Sequence, residues 1–191
     1  MKKSTIGTVL ITSTLSLLSV GFISSQQAFS FDDDKSWDFS ELKKPGVLAV
    51  KNESYKQECG SCHMAYSPGL LPKKSWIKVM DNLEEHYGDN AELTAQLHVK
   101  ILNYLTTNSA DVSDYKRSRK IMASLDKTQL TDRITLTPYF IRKHDEIPKR
   151  FVIDNPKVGS FSQCNLCHSN TENGSFSEDE VSIPGVGYWH D

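Results

Sequence analysis

Cys59, Cys62 and His63 lie within five positions of one another, and Cys164, Cys167 and His168 repeat the pattern. All four cysteines of the chain belong to these two C-x-x-C-H units. Two thiols separated by two residues can close a redox disulfide, supply half of a zinc site, or bond the two vinyl carbons of a porphyrin. A thioredoxin-type disulfide needs neither the trailing histidine nor a second copy. A zinc ribbon would draw both pairs to one ion, yet the pairs lie about a hundred residues apart and each has its own histidine. Haem attachment accounts for all six residues, because the sulfurs tether the macrocycle and the next imidazole comes under its iron. Two covalently attached c-type haems are therefore implied. Cys59 and Cys62 anchor the first, Cys164 and Cys167 the second, with His63 and His168 as proximal ligands.

Each iron then needs a sixth ligand or an open position. Four histidines remain: His86, His98, His144 and His190. His86 continues the stripe Trp76, Val79, Leu83, and is expected in the last turn of that helix, facing the core. His144 lies four residues after Phe140 in the last turn of a short helix. A lone inward histidine is ordinarily a hydrogen-bonded core residue. In a chain that must hold two irons, two such histidines favour ligation. His98 is the reserve for the first iron, and Met80 is the rival on the same helix as His86. The choice matters, since a His/Met pair raises the potential relative to two histidines. His190 is penultimate and is given no ligand role.

The elements that must position these residues follow from pattern and punctuation. Lys2 and Lys3, an uncharged run from Ile6 to Ile23 and the exit Ala28-Phe29-Ser30 resemble a cleaved signal peptide over 1–30. Its removal leaves 161 residues with 20 basic against 24 acidic side chains, a formal net charge of −4. That mild acidity argues against nucleic acid as a partner, and no later apolar run approaches membrane length, so the mature protein is expected not to span a membrane. An extended lead occupies 31–46. A helix is expected from Val47 to His63, a loop through MAYSPGLLPKK, and a helix from Ser75 stopped by Gly88. Asp89-Asn90-Ala91-Glu92 reads as a capping box for a helix carrying Leu93, Leu97, Ile101, Tyr104 and Leu105. Ser113 reads as the cap of a basic helix through Lys116, Arg117, Arg119 and Lys120. A polar stretch from Asp126 to Arg133 divides the chain into haem domains at 47–125 and 126–191. Thr137-Pro138 opens the helix of His144, Lys149 to Ser160 reads as a connector, and the acidic tail is turn-rich. With no convincing period-two alternation, the fold is expected to be mainly α with long loops.

The stretches SWIKVMDNLEEHYGDNAEL, RITLTPYFIRKH and KVGSFSQCNLCHSNTENGSF resemble the bacterial periplasmic dihaem cytochromes c. The resemblance covers most of residues 47–176. It implies two small haem-binding domains, the first similar to class I cytochrome c and the second short and loop-rich. It also implies bis-histidine irons, with His86 and His144 as the distal ligands, and a periplasmic carrier of single electrons at low potential. The implied partners are a small oxygen-binding monohaem cytochrome c and a membrane b-type cytochrome. A haem enzyme or gas sensor with one open, peroxidase-like iron is the alternative. Glu178, Asp179 and Glu180 are candidates to steer a basic redox partner.

Overall fold

Asn52, Thr94 and Thr137 each place a side-chain oxygen where it accepts the backbone N–H of the third residue of a helix, and these three caps set the frame of the molecule. The computed structural model describes residues 45–126 and 131–189. The leader over 1–30, nearly all of the lead over 31–46, and His190 lie outside them. Helices α1 (Glu53–Cys59), α2 (Lys73–Met80), α3 (Ala95–Thr107) and α4 (Lys116–Ser124) are followed by α5 (Pro138–His144), α6 (Lys149–Val152) and α7 (Cys164–Cys167). Strands β1 (Ser182–Ile183) and β2 (Gly187–Tyr188) form a small antiparallel hairpin, with Ser182 opposite Tyr188 and Ile183 opposite Gly187. The described fold is mainly helical, as expected. Among the described residues no helix is long and apolar enough to cross a membrane.

Three apolar clusters hold these elements. Tyr55, Leu71, Trp76, Met80, Leu83, Ile101 and Leu105 form the first, with Cys59 and Tyr66 packed on its edge. The Trp76 indole N–H donates to the Pro68 carbonyl at 2.8 Å, so burying this ring leaves no donor unpaired. Val47, Leu70, Ile121 and Tyr139 form a second, and Val152, Val158, Val181 and Ile183 a third, against which Phe161 and Cys167 pack. Each C-x-x-C-H unit therefore borders its own apolar cluster, and the middle cluster draws together residues from early and late in the chain.

Several local expectations are corrected. The first helix is only Glu53–Cys59: the Asn52 carboxamide accepts from the Tyr55 N–H and sets its start, while Val47 is buried outside it. Helix α2 stops at Met80, not at Gly88. Asn82 leaves helical geometry and its amide donates to the Glu85 carbonyl, leaving a single 3₁₀ turn over Leu83–Glu85. His86 thus sits in a turn beyond the helix, where its N–H donates to the Asp89 carbonyl at 2.8 Å. The expected capping box is a local turn instead, with the Asn90 side chain accepting from the Glu92 N–H, and Thr94 caps α3. Ser113 accepts from the Tyr115 N–H, one step before α4. The connector over 149–160 contains α6. Thr137 and Pro138 do open α5, with the Thr137 hydroxyl accepting from the Phe140 N–H at 3.2 Å. Part of the polar boundary after Asp126, residues 127–130, lies outside the described residues.

The loop that follows the second motif is fastened to the start of the described chain. The Gly174 carbonyl accepts from both the Gly46 and Val47 N–H groups, at 2.9 and 3.2 Å. Gly174 has φ of 76°, and a Cβ there would meet the Val47 carbonyl oxygen at 2.2 Å. Gly159 has the same φ with nothing within 4 Å of a Cβ. Gly159→Ala should therefore cost about 1 kcal/mol through backbone conformation alone. Gly174→Ala should cost about 2 kcal/mol more through the added clash, measured as paired denaturant midpoints of the full chain. Equal costs would refute the steric account.

Candidate functional site

His63 leaves the turn that ends α1, and a short hydrogen bond settles which way its ring is used. Its Nδ1 lies 2.7 Å from the Met64 carbonyl, which can only accept, so the proton is on Nδ1 and the lone pair on Nε2. The Tyr66 ring stacks on the imidazole at 4.8 Å and 24°. Facing it is His86, with ring centroids 6.2 Å apart and planes 25° from parallel. Tyr87, at φ of 59°, packs beside His86, is covered by the Arg133 guanidinium at 4.0 Å, and donates its hydroxyl to the Asp132 carbonyl. Burial and then the nearby His63 ring lower the pKa of His86, which favours the neutral imidazole a metal requires.

The second motif has the same arrangement built from different parts. Helix α5 carries His144, whose Nδ1 donates to the Phe140 carbonyl one turn back at 2.9 Å. The Phe140 ring stacks on it at 3.8 Å, and Phe161 closes edge-on at 6.0 Å. His168 follows α7, its N–H donating to the Cys164 carbonyl at 2.8 Å, and it bridges to Val181. The two rings again lie 6.2 Å apart, here with planes at 74°. They face a partly open cleft lined mainly by apolar side chains such as Leu70, Ile121, Phe140 and Phe161. Burial, then His144 and Arg117, push the pKa of His168 down to about 4. Its Nδ1 is buried without a hydrogen-bond partner among the described residues, a cost of about 1–3 kcal/mol in the bare protein.

The common spacing has a direct chemical meaning. A ligated imidazole nitrogen lies about 2.0 Å from a first-row metal and about 1.1 Å from its own ring centroid, so two rings across one ion stand about 6.2 Å apart. Both pairs meet that distance. Two nitrogens cannot complete a coordination shell, so the remaining donors must come with the ligand itself, as they do from a porphyrin. The four thiols are free. Burial raises Cys59 and Cys164 to about 11, and raises Cys167 as well, with Glu58 adding to the effect at Cys59. A reactive redox dithiol or a zinc thiolate needs the opposite shift. The residues present fit a thioether-bound haem at each motif.

Comparison with known proteins agrees. The family model described as dihaem cytochrome c matches residues 55–176. The chain belongs to the dihaem cytochrome c family. The X-ray structure of a dihaem c-type cytochrome from Shewanella baltica is 47% identical, with a TM-score of 0.60, over 73% of this chain and 98% of that one. Two structures of dihaem cytochrome c from Rhodobacter sphaeroides are 37% and 34% identical, with TM-scores of 0.61 and 0.54, each over 68% of this chain and all of theirs. No curated protein matches.

As a dihaem cytochrome c, the protein carries two c-type haems, and membership implies an electron-transfer role rather than enzymology. The other candidate ligands are engaged elsewhere. His98 places Nε2 3.0 Å from the Met80 carbonyl, and the Met80 side chain is buried in the first apolar cluster. In the acidic tail segment Glu178 is offset by its ion pair with Lys143, and Glu180 accepts from the Ser175 hydroxyl. Arg117 is one member of a basic run in the sequence, yet in the dihaem cytochrome it is half-buried. Its guanidinium donates to the Tyr139 hydroxyl at 2.9 Å and the Phe176 carbonyl at 2.7 Å, and it lies over both rings. It also lines the cleft of His144 and His168. A fixed positive charge there disfavours ferric relative to ferrous iron. Arg117→Gln should lower the midpoint potential of the second haem and leave the first in place, read from a redox titration. An unchanged second potential would show that the charge is fully screened.

Proposed function

We propose that this dihaem cytochrome c is an exported, periplasmic carrier that relays single electrons through two low-potential, bis-histidine haems. The chain is arranged as an N-terminal domain similar to class I cytochrome c and a shorter, loop-rich C-terminal one. His63 and His86 hold the first iron, His168 and His144 the second, with Cys59, Cys62, Cys164 and Cys167 as tethers. The observation that carries the proposal is the 6.2 Å separation of both ring pairs, the spacing of two imidazoles across one ion. The haem supplies a one-electron iron couple when bound. With two histidines of the chain on each iron, no coordination position would remain open for a substrate or gas. The chain also supplies rigid ligands: Nδ1 of His63 and of His144 are each held by a backbone carbonyl, so neither ring turns as the charge of the iron changes. Apolar surroundings favour the less charged ferrous form, while two neutral histidines hold the potential below that of a His/Met centre. The partners implied by the family likeness are a small oxygen-binding monohaem cytochrome c and a membrane b-type cytochrome.

A redox titration of the mature protein with visible and near-infrared spectra tests the proposal. Two low-spin ferric haems without the methionine-to-iron absorption, and with no carbon monoxide adduct after reduction, are expected. A high-spin component that binds carbon monoxide would overturn it. His144→Ala should open only the second haem to carbon monoxide and His86→Ala only the first.

The ring angles give an independent check. Rings near parallel, as at His63 and His86, separate the iron d orbitals and give a rhombic ferric low-spin EPR spectrum. Rings near perpendicular, as at His144 and His168, give a strongly anisotropic one. One signal of each kind is expected, with the anisotropic signal lost in His144→Ala. Two identical rhombic signals would contradict the ligand geometry.

A further inference from the structure

Tyr66 links the first motif to the residue two positions before the second, although the motifs are far apart in the sequence. Its ring stacks on His63 at 4.8 Å. Its hydroxyl donates to the Ser162 carbonyl at 2.8 Å, across 96 positions of the chain. That same carbonyl accepts the Cys164 N–H at 3.0 Å, so one oxygen serves both the phenol of the first motif and the leading cysteine of the second. Both ends of this link are held. The Tyr66 carbonyl accepts from the hydroxyl of Tyr55, a residue buried in the first apolar cluster. Ser162 is held by Ser160, whose hydroxyl accepts its N–H at 3.1 Å and meets its hydroxyl at 2.7 Å.

We propose that Tyr66 is the positioning residue that couples the two haem centres, a bridge that sets the rate of electron exchange between them. The proposal rests on the ligand roles given above for His63 and on the attachment of the second haem at Cys164. The path runs from the His63 imidazole to the stacked phenol, through its hydroxyl to the Ser162 oxygen, and on through the Cys164 N–H to the sulfur that tethers the second macrocycle. Tunnelling decays less steeply along bonded and hydrogen-bonded atoms than across an equal width of empty space. The step moves one electron: one iron is oxidised by one unit as the other is reduced, and no bond forms or breaks. Tyr66 itself is not oxidised, because the partner of its hydroxyl is a carbonyl, which cannot take the proton.

The test uses the full haem-bearing protein with Tyr66→Phe, which keeps the ring stack and removes the hydroxyl, and Tyr66→Leu, which removes both. Exchange is measured in the half-reduced protein by NMR saturation transfer between haem methyl resonances, with haem content and both midpoint potentials recorded for each variant. Exchange slowed several-fold in Tyr66→Phe and further in Tyr66→Leu, beyond any change set by the potentials, is the expected result. An exchange rate unchanged in Tyr66→Phe overturns the hydrogen-bonded bridge, whatever Tyr66→Leu does. Failure of the ligand assignment has a separate signature, because carbon monoxide would then bind the reduced wild-type protein.

Discussion

Everything else in this protein is arranged around a gap one metal ion wide between two facing imidazoles, made twice. Neither gap is supported by contact between its own two rings. Each is held open from behind, by the Met64 carbonyl and the Tyr66 ring at His63 and by the Phe140 carbonyl and ring at His144. The histidines must also stay neutral, and burial beside a second imidazole enforces that at His86 and His168. The apolar residues around each motif thus act twice, as core of the fold and as the low-dielectric medium that sets the charge state of the site.

The two centres use different local solutions to the same requirement. At the first, both histidines come from turns, and stiffness comes from aromatic and cationic neighbours, Tyr66 on one side and Tyr87 with Arg133 on the other. At the second, His144 is fixed by the last turn of a capped helix, and Phe161 braces it edge-on. The ring planes differ accordingly, near parallel in one and near perpendicular in the other.

Residue type and spacing were enough to reveal the chemistry, while local geometry was read less well. C-x-x-C-H needs no tertiary information, because the tethers and the proximal ligand are neighbours in the chain. The helix of His144 was legible too, since Thr137 and Pro138 act within one turn. His86 was placed on a helix because Trp76, Val79 and Leu83 keep the period, but Asn82 bonds to Glu85 and ends that period early. Competition between a side chain and the backbone leaves hydrophobic spacing unaltered, so periodicity could not show it. Tyr66 and Arg117 were hidden for another reason. One carried only the signal of an aromatic in a proline-containing loop and the other that of a cation in a basic run. Their roles depend on Ser162, Tyr139 and Phe176, contacts set by tertiary packing.

The tie between Gly174 and the Gly46–Val47 backbone has a consequence for the order in which the chain can assemble. It joins segments 127 or more positions apart, so it is a contact of very high sequence separation, made late and at a large cost in loop entropy. A growing chain can form α1 to α3 and the first apolar cluster from local contacts. It cannot seat Val47 against the second motif loop until residue 174 has emerged. The loop after the second C-x-x-C-H unit, which places Phe176 against His168, is therefore seated only when both of these distant segments are present.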